Sequence, residues 1–482
     1  MTGAYLDADD GLIGALSASV GADQVLTDMD SRTRLSSDRM PYGLFRARGG
    51  NWPGCPAIAV VRPADASEVS AVVRIAGETG VPVIARGEGS GVLGGAVPVG
   101  RAMVIDLTRM NRILSLQDQD GLVTVEAGMN GLEFEDALNA RGWTCGHFPS
   151  SMDISTVGGW VACRGAGQAS TRYGKIEDMV AGLRAVLPDG QILDIRPAPR
   201  RSVGPSLQDM IVGSEGTLAI ITEVTLRIWR KPALELGEVL LFPDLPVALT
   251  ALRDMLQSGL RPAVARIYDP QESRWRSKDH PGLVSHPVLC LLEFHGSAEM
   301  AKVESRLALD LAASAGARRI DDSIWRDWRQ TRYQSLSRDW QARGYFMDTI
   351  EVACPWSALP AMYDAMSDAV LAVHPEVHFG AHWSHAYADG VCQYMTLRLP
   401  PMENELGIAL HARIWDLLQM LALKHQAVIA HHHGAGLFRN PWIAHDLGAP
   451  GMQMLQAIKD AVDPANLFNP GKLGLRAAPA GV

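Results

Sequence analysis

The sequence lacks any apolar run approaching the roughly 18 to 20 residues needed to cross a bilayer, so no transmembrane segment is expected. It lacks an excess of basic residues. Its 44 Lys and Arg against 53 Asp and Glu leave a net charge of −9, which argues against nucleic acid as a partner, because binding a phosphate backbone needs a basic face. It lacks paired cysteines. The six present (Cys55, Cys145, Cys163, Cys290, Cys354, Cys392) are scattered without C-x-x-C spacing; they read as small buried apolar side chains in a reducing compartment. The opening MTGAYLDADD has neither the basic n-region nor the apolar h-region of a secretory signal, and a cytoplasmic location is expected. No glycine loop is followed by Gly-Lys-Ser/Thr, which excludes a Walker A loop, and no internal repeat is visible.

What the chain has in quantity is glycine, 47 of 482 residues. The richest stretch is Val81 to Pro98, VPVIARGEGSGVLGGAVP. Val81, Val83, Ile84 and Ala85 read as a buried strand. Arg86-Gly87-Glu88-Gly89-Ser90-Gly91 then reads as a loop whose successive N–H groups form a nest for an anion. The loop runs on into Gly94-Gly95-Ala96-Val97-Pro98, too poor in helix formers to open the helix that a nicotinamide-type G-x-G-x-x-G fingerprint requires. A pyrophosphate and a plain structural turn both remain open at this point. Glu88 matters in either case, because a carboxylate facing a pyrophosphate would repel it.

Residues 1 to 50 read as polar and irregular, with a helical pattern around Gly11 to Val20. From Pro56 a βαβ opening follows: strand Ala57–Val61, a helix with Ser67 as N-cap and Val69, Val72, Val73 and Ala76 as its apolar stripe, a stop at Gly80, then the strand before the loop. Thr144 to Gly174 is long and rich in Gly and Ser, the mark of a functional loop. After Lys231-Pro232, strands alternate with long helices, indicating a second α+β unit.

Taken together, the motifs resemble the vanillyl-alcohol-oxidase/PCMH-type FAD flavoproteins. The glycine loop, Ser155-Thr156-Val157-Gly158-Gly159-Trp160, Tyr173-Gly174-Lys175-Ile176-Glu177-Asp178, Gly213-Ser214-Glu215-Gly216-Thr217-Leu218 and Val462-Asp463-Pro464-Ala465-Asn466-Leu467-Phe468 occur in that family's order. Within it, Pro149 to Val161, Arg266-Ile267-Tyr268-Asp269, Ser337-Arg338-Asp339 and His431-His432-His433-Gly434 are most similar to the alkyldihydroxyacetonephosphate synthases.

The resemblance implies an α+β protein: a PCMH-type FAD-binding domain of two α/β subdomains over 51–232, a substrate (cap) domain with an antiparallel sheet over 233–440, and a C-terminal helical segment, 441–482, returning to the FAD domain. It implies non-covalent FAD held by Arg86, Gly87, Glu88, Gly89, Ser90, Gly91, Pro149, Asp153, Ser155, Thr156, Gly159, Trp160, Arg164, Ala166, Gly174, Glu215, Thr217 and Ile221. In such a synthase, flavin N5 forms an adduct with a phosphorylated ketone while its acyl group is exchanged for an alkoxy group. Tyr394 would then be the acid/base residue at the substrate carbon. His431, His432 and His433 would move protons, Arg266 would support the adduct, Arg338 would hold the phosphate, and His382 and His385 would line the substrate site. A small-molecule or lipid-like substrate and a homodimer complete the expectation.

The residues alone leave alternatives. Arg266 reads as a bidentate anion donor or as the partner of Asp269. Tyr394 reads as catalytic or as core. The three histidines read as a proton network, as packing, or as metal ligands. On a strand, neighbouring side chains point to opposite faces and cannot aim three rings at one ion, so no metal is expected. FAD chemistry itself divides between the synthase reaction and hydride transfer from an alcohol or 2-hydroxy acid, as in an oxidase or dehydrogenase, because one fold hosts many reactions.

Overall fold

The computed structural model describes residues 3–50, 56–277, 281–334 and 337–477. Cys55 and the expected domain start at residue 51 lie outside the described residues. The βαβ opening forms as its pattern demands, with strands Val60–Val61 and Val83–Arg86 flanking helix Ala66–Thr79. The helix cap differs from expectation. Asp65, not Ser67, is the N-cap, and its Oδ1 accepts the N–H groups of Ser67 (2.8 Å) and Glu68 (3.0 Å). A carboxylate at that position also favours the positive end of the helix dipole. Gly80 closes the helix in the left-handed region at φ 65°, where a glycine is unstrained.

The N-terminal stretch is helical, not irregular: helices Gly3–Val20, Met29–Leu35 and Pro41–Arg48 occupy it. Leu12, Leu16 and Val20 recur at helical spacing and are buried in the first core. The first sheet has the order Val25–Leu26, Val60–Val61, Met103–Asp106, Val83–Arg86, with its last three strands parallel. A second, antiparallel sheet orders Ile113–Gln117, Leu122–Glu126, Ile220–Arg227, Val180–Val186 and Ile192–Ile195. Both sheets share one apolar core.

The third sheet is antiparallel and has seven strands: Arg318–Ile320, Leu234–Phe242, Val288–Gly296, Val264–Tyr268, His378–Ala386, Gly390–Leu399 and Phe346–Pro355. Strand His378–Ala386 was not legible in the sequence. Its helix-side residues Phe379, Ala381 and Trp383 are apolar, but its other face carries His382 and Ser384, which are buried as well, so the pattern of apolar inside and polar outside fails. Helix Asn404–Lys424 is the one described helix long and apolar enough to span a membrane. Here Ile414, Trp415, Leu418 and Ala422 on that helix are buried in the second core.

The tail returns to the first core through Leu467 and Phe468. Backbone bonds Val83 N–H to Leu467 O (2.8 Å) and Asn469 N–H to Val83 O (2.9 Å) zip it to the strand before the glycine loop. Asn469 Nδ2 donates to Gly95 O (2.9 Å) and Glu215 O (2.7 Å), and Lys472 Nζ donates to Val97 O (2.8 Å). The turn itself is built on Asp463, whose carboxylate accepts Leu467 N–H, Phe468 N–H and Lys459 Nζ. Breaking a buried pair by removing one partner leaves an uncompensated charge, so Asp463→Ala should destabilise the protein by about 3–5 kcal/mol in urea unfolding. A loss below about 1 kcal/mol, the range of an exposed pair, would show that this turn does not hold the tail.

Candidate active site

Strand alternation decides which side chains can meet. In the third sheet, one face carries Ile267, Trp383, Met395, Ile350 and Val352 into the helix-covered core. The opposite face then carries the polar residues, by the two-residue period. Register places Tyr268 beside His382, His382 beside Tyr394, and Tyr394 beside Glu351. These four residues, from four adjacent strands, form a row. Arg266 stands two residues from Tyr268 on the same face, and its Nη2 donates to His382 Nε2 at 2.8 Å. Since a guanidinium cannot accept, His382 carries its proton on Nδ1. The His382 ring stacks on Tyr394 at 4.7 Å. The Tyr394 hydroxyl donates to Thr349 Oγ1 at 3.0 Å, and burial pushes its pKa up to about 12.

His431–His433 form a turn rather than a strand. Its centre is Glu351, wholly buried. One oxygen, Oε1, accepts the backbone N–H groups of His431 (3.2 Å), His432 (3.0 Å) and His433 (2.8 Å). Arg439 closes on the same carboxylate and also donates to Gly434 O at 2.8 Å. The guanidinium holds Glu351 well below the usual carboxylate range, against the opposing effect of burial. With its backbone pinned, the turn sends its rings outward. His433 meets the Tyr394 ring edge-on at 5.5 Å and His432 stacks on it at 6.0 Å. His431 Nδ1 lies 2.8 Å from His432 Nδ1, and its Nε2 meets the Tyr387 hydroxyl at 2.9 Å.

Segments of the first half close against this wall. Lys175 Nζ donates to His431 O (2.7 Å) and pairs with Glu177 (2.9 Å). Ser170 Oγ bonds His385 Nδ1 at 2.7 Å. His385 sits at a bulge with φ 54°, which turns its ring toward His431 (5.3 Å) and His432 (4.8 Å). Glu215, also at positive φ, accepts the N–H groups of Ala435 (2.6 Å) and Gly436 (2.8 Å) directly after the histidine turn.

The structure thus gathers Tyr394, Arg266, His382, His385 and His431–His433 in one place. Arg338 lies on helix Ser337–Ala342, and its side chain is outside the described residues. Glu88 does not meet the loop's anion nest with a free carboxylate. Asn130 Nδ2 donates to both of its oxygens, at 3.0 and 3.1 Å. Arg86 folds under the loop, donating to Gly87 O (2.7 Å) and Glu88 O (3.2 Å). Thr156 caps helix Val157–Cys163 through Gly159 N–H, Ser155 Oγ accepts Trp160 Nε1–H (2.7 Å), and Thr217 Oγ1 donates to Ser214 O (2.7 Å). Arg164 is spent on the carbonyls of Val212 (2.9 Å) and Asp209 (3.0 Å), and Asp153 O accepts from Asn130 (3.0 Å). Gly174 takes φ 85°, and Ile221 is buried on strand Ile220–Arg227.

Sequence reasoning missed Glu351, Thr349, Lys175, Arg439 and His147. Glu351 had one local signal, a carboxylate between Ile350 and Val352 in an otherwise apolar strand. The others act through the folded chain. His147 is fully buried, packs on Trp160 at 4.6 Å, and leaves both ring nitrogens without a protein partner.

These features fit a flavin dinucleotide. A Cβ at Gly87 would stand 2.2 Å from Thr156 Oγ1, and one at Gly89 would stand 2.3 Å from Arg86 Nη2. Both ring nitrogens of His147, packed on Trp160 in the FAD-binding half, and Nε of Arg266, on the site wall, are buried polar atoms without a protein partner. Residues 57–196 match the FAD binding domain family, and residues 232–473 match the family of FAD linked oxidases, C-terminal domain. The chain belongs to the FAD-linked oxidases. The alkyldihydroxyacetonephosphate synthase of Trypanosoma brucei brucei is 29% identical over 94% of this chain and 78% of its own. An uncharacterized FAD-linked oxidoreductase of Escherichia coli (strain K12) is 28% identical over 96% and 98%. A solved alkyldihydroxyacetonephosphate synthase superposes with a TM-score of 0.81 at 24% identity, covering 95% of this chain and 85% of its own. The fold is the expected α+β, PCMH-type flavoprotein fold, and the protein is an FAD-dependent enzyme.

Two predictions follow from this geometry. Gly87→Ala forces Thr156 aside at the glycine loop, so the purified variant should lose most of its bound flavin absorbance; a variant as yellow as the parent would remove that loop from the cofactor site. The second concerns pH. Burial lowers the pKa of His147, His382, His385, His431, His432 and His433, to about 3 for His147 and His431. A folded pKa below the unfolded value means that the unfolded chain binds more protons, so stability is full above about pH 6.5 and falls below it. Each fully buried ring contributes up to about 1.4 kcal/mol per pH unit. The urea midpoint should drop steeply between about pH 7 and pH 5; a flat or rising midpoint would contradict the neutral, buried assignment.

Proposed function

We propose that this enzyme is an alkyldihydroxyacetonephosphate-synthase-like transferase that exchanges an acyl group for an alkoxy group on a phosphorylated ketone. The observation that carries the reading is the row Arg266–His382–Tyr394 facing the histidine turn, on the sheet face that meets the FAD-binding segments. FAD, when bound, would supply the flavin-ring chemistry of the exchange; the groups of this chain supply charge and protons.

Arg266 is a permanent cation beside that carbon, able to steady negative charge on a neighbouring oxygen. Tyr394 is a neutral phenol across the working pH range, so it gives a proton or passes one on rather than standing as an anion. Its present acceptor is Thr349, and its ring stacks on His382. His431, His432 and His433 are neutral and densely packed beside Tyr394, and their lone pairs offer hydrogen-bond acceptors along which a proton can be relayed once charge develops on the substrate. His382 has its Nε2 engaged by Arg266, which fixes its ring as a platform for Tyr394. Arg338 completes the reading as the holder of the substrate phosphate, and FAD is held without a covalent bond.

Labelled fatty alcohol should exchange into acyl-dihydroxyacetone phosphate while the flavin stays oxidised. Anaerobic bleaching of the flavin by an alcohol or 2-hydroxy acid, without exchange, would replace this reading with hydride transfer. Tyr394→Phe should lower turnover by about 10²- to 10⁴-fold, the range of one general acid/base group, with the flavin spectrum retained. Parental turnover in that variant would remove Tyr394 from the mechanism.

A further inference from the structure

The objection to a metal at the histidines rests on strand geometry, and the histidines are not on a strand. The turn around Glu351 aims His431 and His432 to one side, their Nδ1 atoms 2.8 Å apart. Behind them, Cys392 reaches in from strand Gly390–Leu399, two residues before Tyr394 and on the same face. One nitrogen of each ring and the Cys392 sulfur all lie within 4.8 Å of one another. In a tetrahedral zinc site with bonds of about 2.0–2.3 Å, ligand atoms stand about 3.3–3.8 Å apart, so ring rotations within one rotamer well would close the set. The set mixes imidazole and thiolate, the donors that zinc favours.

The surroundings provide access. His431 and His432 are part-exposed, while Cys392 is fully buried behind them, so an ion enters from the histidine side. The Tyr387 hydroxyl on His431 and the pinned backbone of the turn orient the rings, as outer-shell groups do around bound metals. Glu351 faces the cluster but is matched by Arg439, so the charge that balances the ion comes from the Cys392 thiolate itself, against Lys175 and Arg266. A water can fill the fourth position.

We propose that Cys392, His431 and His432 form a zinc-binding site inside the active site, and that occupancy by Zn²⁺ reversibly inhibits the enzyme. Binding removes the Cys392 thiol proton to solvent and forms one Zn–S and two Zn–N bonds; the two imidazoles stay neutral, each keeping its proton on its other nitrogen. No electron is transferred. The two ring lone pairs that would accept protons near Tyr394 are then occupied.

The test uses the flavin-loaded enzyme and Zn²⁺ alone. Calorimetric titration should show one ion per chain, with turnover falling in parallel and recovering on addition of a chelator. Co²⁺ in its place should give a sulfur-to-metal charge-transfer band and tetrahedral d–d bands to the red of the flavin absorption. Cys392→Ser and Cys392→Ala should each weaken Zn²⁺ binding by about 100-fold or more, at least what loss of an outer-shell partner causes, and should abolish the sulfur band. Cys145→Ser, elsewhere in the fold, should change neither. Absence of a stoichiometric site, unchanged affinity in both Cys392 variants, or a Co²⁺ spectrum without sulfur ligation would overturn the proposal. Should one Cys392 variant misfold, the other and the Co²⁺ spectrum of the parent still decide it.

Discussion

The site depends on one buried carboxylate. Glu351 is placed by strand register directly beside Tyr394, and it gathers the N–H groups of three consecutive histidines onto one oxygen. A turn with three converging N–H groups is an anion nest, and here the anion is the protein's own. An isolated buried carboxylate would be expensive, so Arg439 closes on it from the other side. The pair is therefore a brace rather than a source of net stability. It ties the edge strand of the sheet to the loop that carries the three histidine rings, and Glu215 repeats the device three residues later from the FAD domain. Two carboxylates from two halves of the chain thus hold one short loop, which is how side chains far apart in sequence are fixed relative to a cofactor.

The electrostatics of the wall follow from that brace. Glu351 is matched by Arg439, so the rings around Tyr394 experience a surplus of positive charge from Arg266 and Lys175. Added to burial, this keeps the imidazoles neutral, while burial keeps Tyr394 a phenol. Both shifts oppose transfer of the phenol proton to a ring in the resting site, so the wall holds its protons in place.

Much of this was legible in the sequence, for identifiable reasons. The βαβ opening and the long cap-domain helices announce themselves by period and capping, because local pattern and global fold agree there. The glycine loop was legible because its backbone must approach a ligand or another segment, as the contacts awaiting a Cβ at Gly87 and Gly89 show. Strand His378–Ala386 was not, because it buries both faces and one of them carries the polar side chains His382 and Ser384. Local preference fails at functional sites for this reason. Glu351, Lys175 and Arg439 were hidden for a different reason: each acts through a partner at least 80 residues away in sequence, so no local window contains the interaction.

The same distinction explains why the histidine turn deceives a reader of the sequence. Three histidines after Ala427-Val428-Ile429-Ala430 read as the end of a strand, whose side chains would diverge. The chain instead bends at His431 because Glu351 offers an acceptor that a strand conformation could not satisfy with three successive N–H groups. The geometry of the rings is thus a consequence of a hydrogen-bond demand made by another strand. Once the backbone is held that way, convergence of His431 and His432 on Cys392 follows from the turn itself. The arrangement that keeps the rings neutral is also the one that would make them ligands, since a ligand nitrogen needs a free lone pair.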